Sequence, residues 1–338
     1  MKAYNLHKID DLRYEGVSMP MCNSGWAIVE VKAAGICSSD IPRIFTKGTY
    51  HFPTIPGHEF SGVVHSVADS EYFDMVGQPV GVFPLIPCRN CPSCMVKQYE
   101  MCEHYDYVGS RRDGAFAEYV AVPVWNLVKL PQSISFEEAA MMEPLAVALH
   151  SLKQGGLTPG MNVAIVGTGM IGVAAGQWAK KMGAINVTVI GRGEAKRQIV
   201  ETCNLSYSVG LNSECFDSYD FVLEAVGSSE AIEMAIMAAR RGGRLVLMGN
   251  PEGDITLPQA VYWKILRKQL KISGAWNSSY DGNNSSDWTD VVNALANQEI
   301  EAKKLITHSF MQDELTEGLL MMKQHKEPYC KVMTLWNR

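Results

Sequence analysis

Asn162-Val-Ala-Ile-Val-Gly-Thr-Gly-Met-Ile-Gly172 decides the fold of this 338-residue chain. Residues 162–166 read as a short buried strand. Gly167, Gly169 and Gly172 follow at GxGxxG spacing, and the apolar stretch then continues as a helix to about Met182, stopping at Gly183. Three glycines at this spacing are weak evidence alone, and a purely structural turn is the plain alternative. Placed after a strand and at the mouth of a helix, they read as a dinucleotide-binding turn. The first glycine makes the turn, the second lets backbone approach a pyrophosphate, and the third allows close helix packing. Met170 and Ile171 open the helix whose N-terminus faces the phosphates.

Downstream of this turn, strand and helix alternate. Val187-Thr-Val-Ile190, Phe221-Val-Leu-Glu-Ala225, Arg244-Leu-Val-Leu-Met248 and Leu270-Lys-Ile-Ser273 are strand candidates. Helices are expected over about 194–203 and over Glu230–Arg240, the latter ended by Gly242-Gly243. Buried parallel strands separated by helices define a doubly wound α/β sheet. The end of its second strand should carry an acid for the adenosine ribose. Gly191 stands there, followed by Arg192, with Lys196 and Arg197 one turn on. Loss of the acid relieves repulsion of a 2′-phosphate, and a guanidinium can bind it in two-pronged fashion, so NADP is favoured over NAD. Arg192 as a solvated loop residue is the alternative.

Upstream, residues 1 to about 148 are punctuated by Gly and Pro. Alternating runs such as Ala27–Lys32, Ser61–Val67, Gln78–Phe83 and Ala117–Val122 read as antiparallel strands, giving a β-rich first domain. Ser135 and Glu138 form a capping-box pattern before a helix. Beyond about Trp276 the chain turns polar, then helical over Trp288–Asn297. Composition is that of an ordinary folded protein, 47% hydrophobic and 20% charged, which excludes a disordered or fibrous chain. A net charge of -6 disfavours nucleic acid and anionic membrane surfaces as partners. Met1–Asp10 lacks a signal-peptide core and no stretch reads as a membrane span, so a soluble, cytoplasmic protein is expected.

Nine cysteines without an export signal argue against a disulfide framework. Four follow the pattern Cys88-x2-Cys91-x2-Cys94-x7-Cys102, with Pro87, Asn90 and Pro92 suited to tight turns. Four thiolates converging from one knuckled loop suit a closed structural zinc site. An iron–sulfur cluster is the alternative, although the common bacterial run has other spacing and a proline after its last cysteine, where Glu103 stands here. A second set is dispersed: Cys37 in Gly35-Ile-Cys-Ser-Ser-Asp40, His58-Glu59 in Pro56-Gly-His-Glu-Phe60, and Glu143 in Met142-Glu-Pro-Leu145. Cys, His and carboxylate are the donors of a catalytic zinc with an open position. Singly, each also reads as an ordinary core, turn or helix-start residue.

Together, Gly35–Asp40, Gly57-His-Glu-Phe-Ser-Gly62, the four-cysteine lobe, Glu143-Pro-Leu145 and the Gly167 motif resemble the zinc-dependent medium-chain dehydrogenase/reductase family, in its polyol dehydrogenase branch. The likeness runs essentially end to end. Pro42-Arg-Ile-Phe45, Gly109-Ser-Arg-Arg-Asp-Gly114 and Lys264-Ile-Leu-Arg-Lys268 look closer still to polyol-phosphate dehydrogenases of that branch.

The resemblance implies a GroES-like β-barrel catalytic domain over 1–148 that bears the lobe at 88–102. A Rossmann domain over 149–276 and a return to the catalytic domain over 277–338 complete the chain, with the active-site cleft between the domains. It implies catalytic zinc on Cys37, His58 and Glu143, with Glu59 as an alternating or water-held partner, and a second, structural zinc on Cys88, Cys91, Cys94 and Cys102. Asp40 would orient His58, and Ser39 would pass the hydroxyl proton outward. The implied reaction moves a hydride between a secondary hydroxyl of a polyol phosphate and NAD(P). A free sugar alcohol of the sorbitol or L-iditol type, or another secondary alcohol, is the alternative substrate; a catalytically idle nucleotide-binding relative is the alternative class. Arg43, Lys47, Arg111 and Arg112 are candidates to hold a phosphate, and a surface salt bridge is the ordinary alternative for each. A homodimer or homotetramer through the Rossmann sheet edge is also implied. The chain departs from the family pattern at Pro42, where a relay histidine often stands, at Gly191-Arg192, and in the short crossover from Tyr207–Gly210 to Phe221. With proline at 42, ribose hydroxyls, Glu59 or water are alternatives to Ser39 as the proton exit.

Overall fold

Val, Ile and Ala dominate the run Trp26–Ile36, which forms the longest strand of the computed structural model; the structure describes residues 1–212, 215–282 and 286–336. One side of this strand pairs antiparallel with Glu59–Val67. The other side is shared by two short strands: Tyr119–Pro123 lies along Trp26–Glu30, and Lys331–Leu335 along Ala33–Ile36. Among the described residues the sheet extends through Pro79–Val82 to Leu127–Lys129 at one end. At the other it closes with Ile306–Met311, parallel to Lys331–Leu335. Val29, Val31, Phe60, Phe116, Val332 and Trp336 are buried in its core. The Ser135–Glu138 capping box forms as expected and starts the helix Phe136–Ala140.

This β-rich unit consists of Met1–Glu143, Ser279–Asn297 and Ile306–Arg338; the second unit is Pro144–Ser278 with Gln298–Leu305. The division therefore falls at Glu143/Pro144 rather than 148. Residues 298–305 leave the expected C-terminal return for a physical reason: Glu301 N–H donates to Gln177 Oε1 at 2.8 Å, and Lys181 pairs with Glu299 at 2.5 Å.

In the second unit six strands pair in parallel, in the order Ser206–Val209, Asn186–Gly191, Asn162–Val166, Tyr219–Glu224, Ala239–Leu247, Lys271–Gly274. Numbered along the chain this order is 3-2-1-4-5-6, the dinucleotide-binding arrangement. The helix Met170–Lys181 follows the glycine turn and buries Val173, Ala174 and Trp178. Two expectations shift. The helix over 229–238 ends before the paired glycines, which lie inside the strand Ala239–Leu247. Buried Lys268 explains the early stop: its ammonium donates to the carbonyls of Ile236, Met237 and Ala239 at 2.8–3.0 Å and satisfies the helix end. The segment 194–203 splits into a 3-10 turn, Glu194–Lys196, and a short helix, Arg197–Thr202. Between Val209 and Tyr219 no helix occurs among the described residues, as the short crossover implies. No helix among the described residues is long and apolar enough to cross a membrane.

Candidate metal and cofactor sites

Sheet pairing assembles the dispersed donors. Gly35 stands opposite Glu59 and Ile36 opposite Val332, so Cys37 leaves its strand next to both His58-Glu59 and Lys331. Ligand atoms of Cys37, His58 and Glu59 lie within 4.8 Å of one another. Gly35 makes room for this: a Cβ there would overlap Glu59 Oε2. The turn before His58 is shaped by the loop Gly109–Gly114. Gly57 adopts φ +97°, and a Cβ on Gly109 or Gly114 would collide with its backbone. Gly114 N–H donates to Ile55 O at 2.6 Å, Ala115 N–H to Gly57 O at 2.9 Å, and Ile55 N–H to Asp113 Oδ1 at 2.9 Å. The glycines of that stretch thus serve backbone-on-backbone packing behind the histidine.

Charges in this site are buried and compensated. Asp40, fully buried, accepts from Cys37 N–H at 2.9 Å and Arg43 Nη1 at 2.5 Å, and faces His58 Nδ1 at 3.5 Å. Burial pushes the Asp40 carboxyl up, but His58, Arg43 and the Cys37 amide outweigh it and hold it below the usual range. Burial alone would likewise lower His58, yet Asp40 and the Cys37 sulfur hold it well above 6.5. His58 Nδ1 is buried and makes no direct hydrogen bond. Glu59 is 1% exposed and pairs with Lys331 Nζ, which also donates to Ile36 O at 3.3 Å. Ser39 Oγ donates to Cys37 Sγ at 3.3 Å.

Glu143 lies outside the 4.8 Å donor group. It starts the helix Met142–Gln154, accepts from the Tyr107 hydroxyl at 3.2 Å, and feels the charges of His58, Glu59 and Lys331. Burial raises its carboxyl to about 7. The donors brought together here are therefore Cys37, His58 and Glu59, with Glu143 behind them. Lys331 and Tyr107 were not anticipated. For Lys331 the signal was a lone charge inside the apolar run Cys330–Leu335; Tyr107 carried none distinguishable from its neighbour Tyr105.

Ligand atoms of Cys88, Cys91, Cys94 and Cys102 also lie within 4.8 Å of one another. Backbone amides around Glu103 and Cys94 bring the Cys91 thiol down to about 6, whereas burial and its neighbours push Cys94 up to about 12. Four sulfurs this close cannot all ionise without a cation, and a thiophilic metal supplies one. The donor chemistry of both clusters fits zinc.

In the second unit Gly167 takes φ +125° at the end of its strand, and a Cβ on Gly172 would overlap the Gly167 carbonyl oxygen, so helix and turn touch backbone to backbone. Nothing lies within 4 Å of a Cβ placed on Gly169. That open cradle at the N-terminus of the helix starting with Met170 and Ile171 fits a pyrophosphate. Gly191 ends its strand as expected, and Arg192 and its neighbour Gly193 are exposed beyond it, with Lys196 closing the 3-10 turn.

Three of the four cations expected to hold a phosphate have partners. Arg43 is bound to Asp40, and Arg112 pairs with Asp106. Arg111 lies between the rings of Tyr50 and Tyr105, at 4.5 and 4.2 Å, and donates to Tyr105 O. Lys47 is exposed.

Residues 23–132 match the alcohol dehydrogenase GroES-like domain and residues 171–297 match the zinc-binding dehydrogenase domain. The chain belongs to the zinc-dependent medium-chain dehydrogenases and is an oxidoreductase of the alcohol and polyol dehydrogenase type, with a GroES-like unit and a Rossmann unit. It is 34% identical over 290 residues to galactitol 1-phosphate 5-dehydrogenase of Escherichia coli strain K12, spanning 83% of this chain and 84% of that one. The crystal structure of galactitol-1-phosphate dehydrogenase from Escherichia coli superposes with a TM-score of 0.89 at 30% identity, over 99% of this chain and 100% of that one. A protein of Sinorhizobium meliloti 1021, described as a zinc-binding dehydrogenase and bound to NADP, superposes with a TM-score of 0.88 at 26% identity, over 99% and 98%.

Proposed function

We propose that the protein interconverts a secondary hydroxyl of a polyol phosphate of the galactitol 1-phosphate kind and the matching ketose phosphate, using NAD(P). The observation that carries the reaction type is the convergence of Cys37, His58 and Glu59 within 4.8 Å, walled by compensated charges. The substrate class is supported by the 34% identical relative. When bound, zinc supplies Lewis acidity at the reacting oxygen and the nicotinamide takes or returns the hydride.

The chain's own residues do the rest. Asp40 faces Nδ1 of His58 at 3.5 Å and orients the ring by charge, so that Nε2 would be the nitrogen to hold a metal. Lys331 neutralises Glu59 and holds it beside Cys37; Tyr107 holds Glu143 as a second carboxylate in reserve. Ser39 carries the proton outward, since Pro42 offers no acid–base group. Cys88, Cys91, Cys94 and Cys102 would hold a second, structural zinc. Arg192 and Lys196, beside the acid-free Gly191, favour NADP. A homo-oligomer would cover the edge strand Lys271–Gly274, where Ile272 and nearby Trp276 are 41% and 52% exposed.

One observation favours a second reading, an unphosphorylated sugar alcohol: Arg43, Arg111 and Arg112 are already engaged. Initial rates with galactitol 1-phosphate and galactitol, each with NADP and NAD, on zinc-replete protein separate the readings. Turnover of the phosphate ester alone supports the first, and preference for the free polyol overturns it.

A further inference from the structure

Gly191 ends the strand where dinucleotide-binding sheets usually present the ribose carboxylate. Its missing side chain has a local cause. A Cβ at Gly191 would overlap the Tyr207 hydroxyl oxygen and come within 2.8 Å of Thr168 Cγ2, inside the glycine turn itself. Tyr207 belongs to the adjacent strand, paired through Val189↔Tyr207 and Ile190↔Ser208. Its phenol does not swing freely. The hydroxyl donates to Gly193 O, and the ring lies 4.8 Å from the Arg197 guanidinium. Arg197 is fixed in turn by Glu194, at 2.5 and 3.0 Å, and Glu201, at 3.1 Å.

We propose that Tyr207 is a specificity-determining residue of the cofactor site: its neutral hydroxyl fills the volume of the ribose carboxylate and bars an acid from position 191. This deepens the NADP reading above. A neutral oxygen there does not repel a 2′-phosphate, and the phenol keeps the loop that carries Arg192 and Lys196 in place. Glycine at 191 follows from the tyrosine and not from the cofactor directly. Restoring the acid alone should therefore fail, and restoring it together with a small residue at 207 should succeed.

The test is calorimetric titration of NADP and NAD into wild type, G191D, Y207A and G191D/Y207A. We expect G191D to bind both cofactors about tenfold more weakly or worse, because the added side chain has no space. G191D/Y207A should regain NAD binding and move the NADP-to-NAD affinity ratio toward NAD by about tenfold or more. G191D alone gaining NAD affinity as large as the double variant would overturn the proposal, as would a double variant with the wild-type ratio. Should the double variant not fold, melting temperatures of G191A, Y207A and G191A/Y207A read the same space. Recovery in the pair supports the proposal, and additive losses refute it. Wild-type preference for NAD would sink the NADP reading, while the coupling between 191 and 207 would still decide the role of Tyr207.

Discussion

The two units are built by opposite strategies. The nucleotide-binding unit is almost one continuous stretch, 144–278, in which each strand pairs with a neighbour a few dozen residues away. The catalytic unit is closed by segments from distant parts of the chain, and its site joins Cys37 and Glu59 to Lys331, 272 residues beyond Glu59. The first presents backbone: a glycine turn, a helix end and an open cradle. The second presents buried charges that exist only because each has a partner. Local backbone geometry is written in local sequence, whereas charge compensation is written in topology. Substitutions in the catalytic unit should therefore cost more and act at longer range.

The largest effect is expected at Lys331. Lys331→Met leaves Glu59 buried without its cation, a loss of about 3–5 kcal/mol. The melting temperature should fall by roughly 10 °C or more, and Lys331→Arg should restore most of it. An unchanged melting curve would erase the contrast between the units. Next comes the cysteine lobe. Cys91→Ser should release one zinc and lower the melting temperature by roughly 5–10 °C, with KM for the polyol nearly unchanged. A large change in KM with intact zinc content would assign the lobe a different role. Third is Asp40→Asn, which loosens both His58 and Arg43. A fall of about 10–100-fold in kcat/KM is expected, together with faster loss of zinc to a chelator. Wild-type zinc retention would show that His58 needs no orienting carboxylate.

The smallest effect lies in the nucleotide-binding unit. Burial raises the Asp220 carboxyl, but the Asn162 amide at 2.8 Å and Arg240 at 2.5 Å outweigh it and hold it below 3.8. Because the folded value is depressed, its stabilisation is complete above the ordinary carboxylate range and is lost as pH falls through the folded value. Asp220→Asn should lower stability by about 1 kcal/mol near neutral pH, and the two proteins should converge in acid. A pH-independent difference would show that the carboxylate's charge is not what matters.

Legibility in the sequence follows the same division. The strand–turn–helix at Asn162–Gly172 and the capping box at Ser135 could be read directly, because period, glycine spacing and cap chemistry act over a few residues. The cysteine lobe was legible for the same reason. Cys37, His58 and Glu143 are individually ambiguous in the sequence and become a set, with Glu59 as an alternating partner, only through likeness to a known family; the pairing Gly35↔Glu59 instead brings Glu59 to Cys37 and His58. For Arg43 the sequence leaves a phosphate ligand and a salt-bridge residue both open, because nothing in a linear sequence shows that Asp40, three residues before it, is buried and needs a cation. The helix end at Ala238 is not legible locally, because the lysine that satisfies it sits thirty residues on, at Lys268.

The central claim is that both donor clusters are metal sites, and zinc content per chain tests it most directly. Elemental analysis of protein prepared with zinc should give two equivalents for the wild type, one for Cys91→Ser and one for His58→Ala. A single equivalent in the wild type that survives His58→Ala would contradict the catalytic site. None at all would contradict the account as a whole.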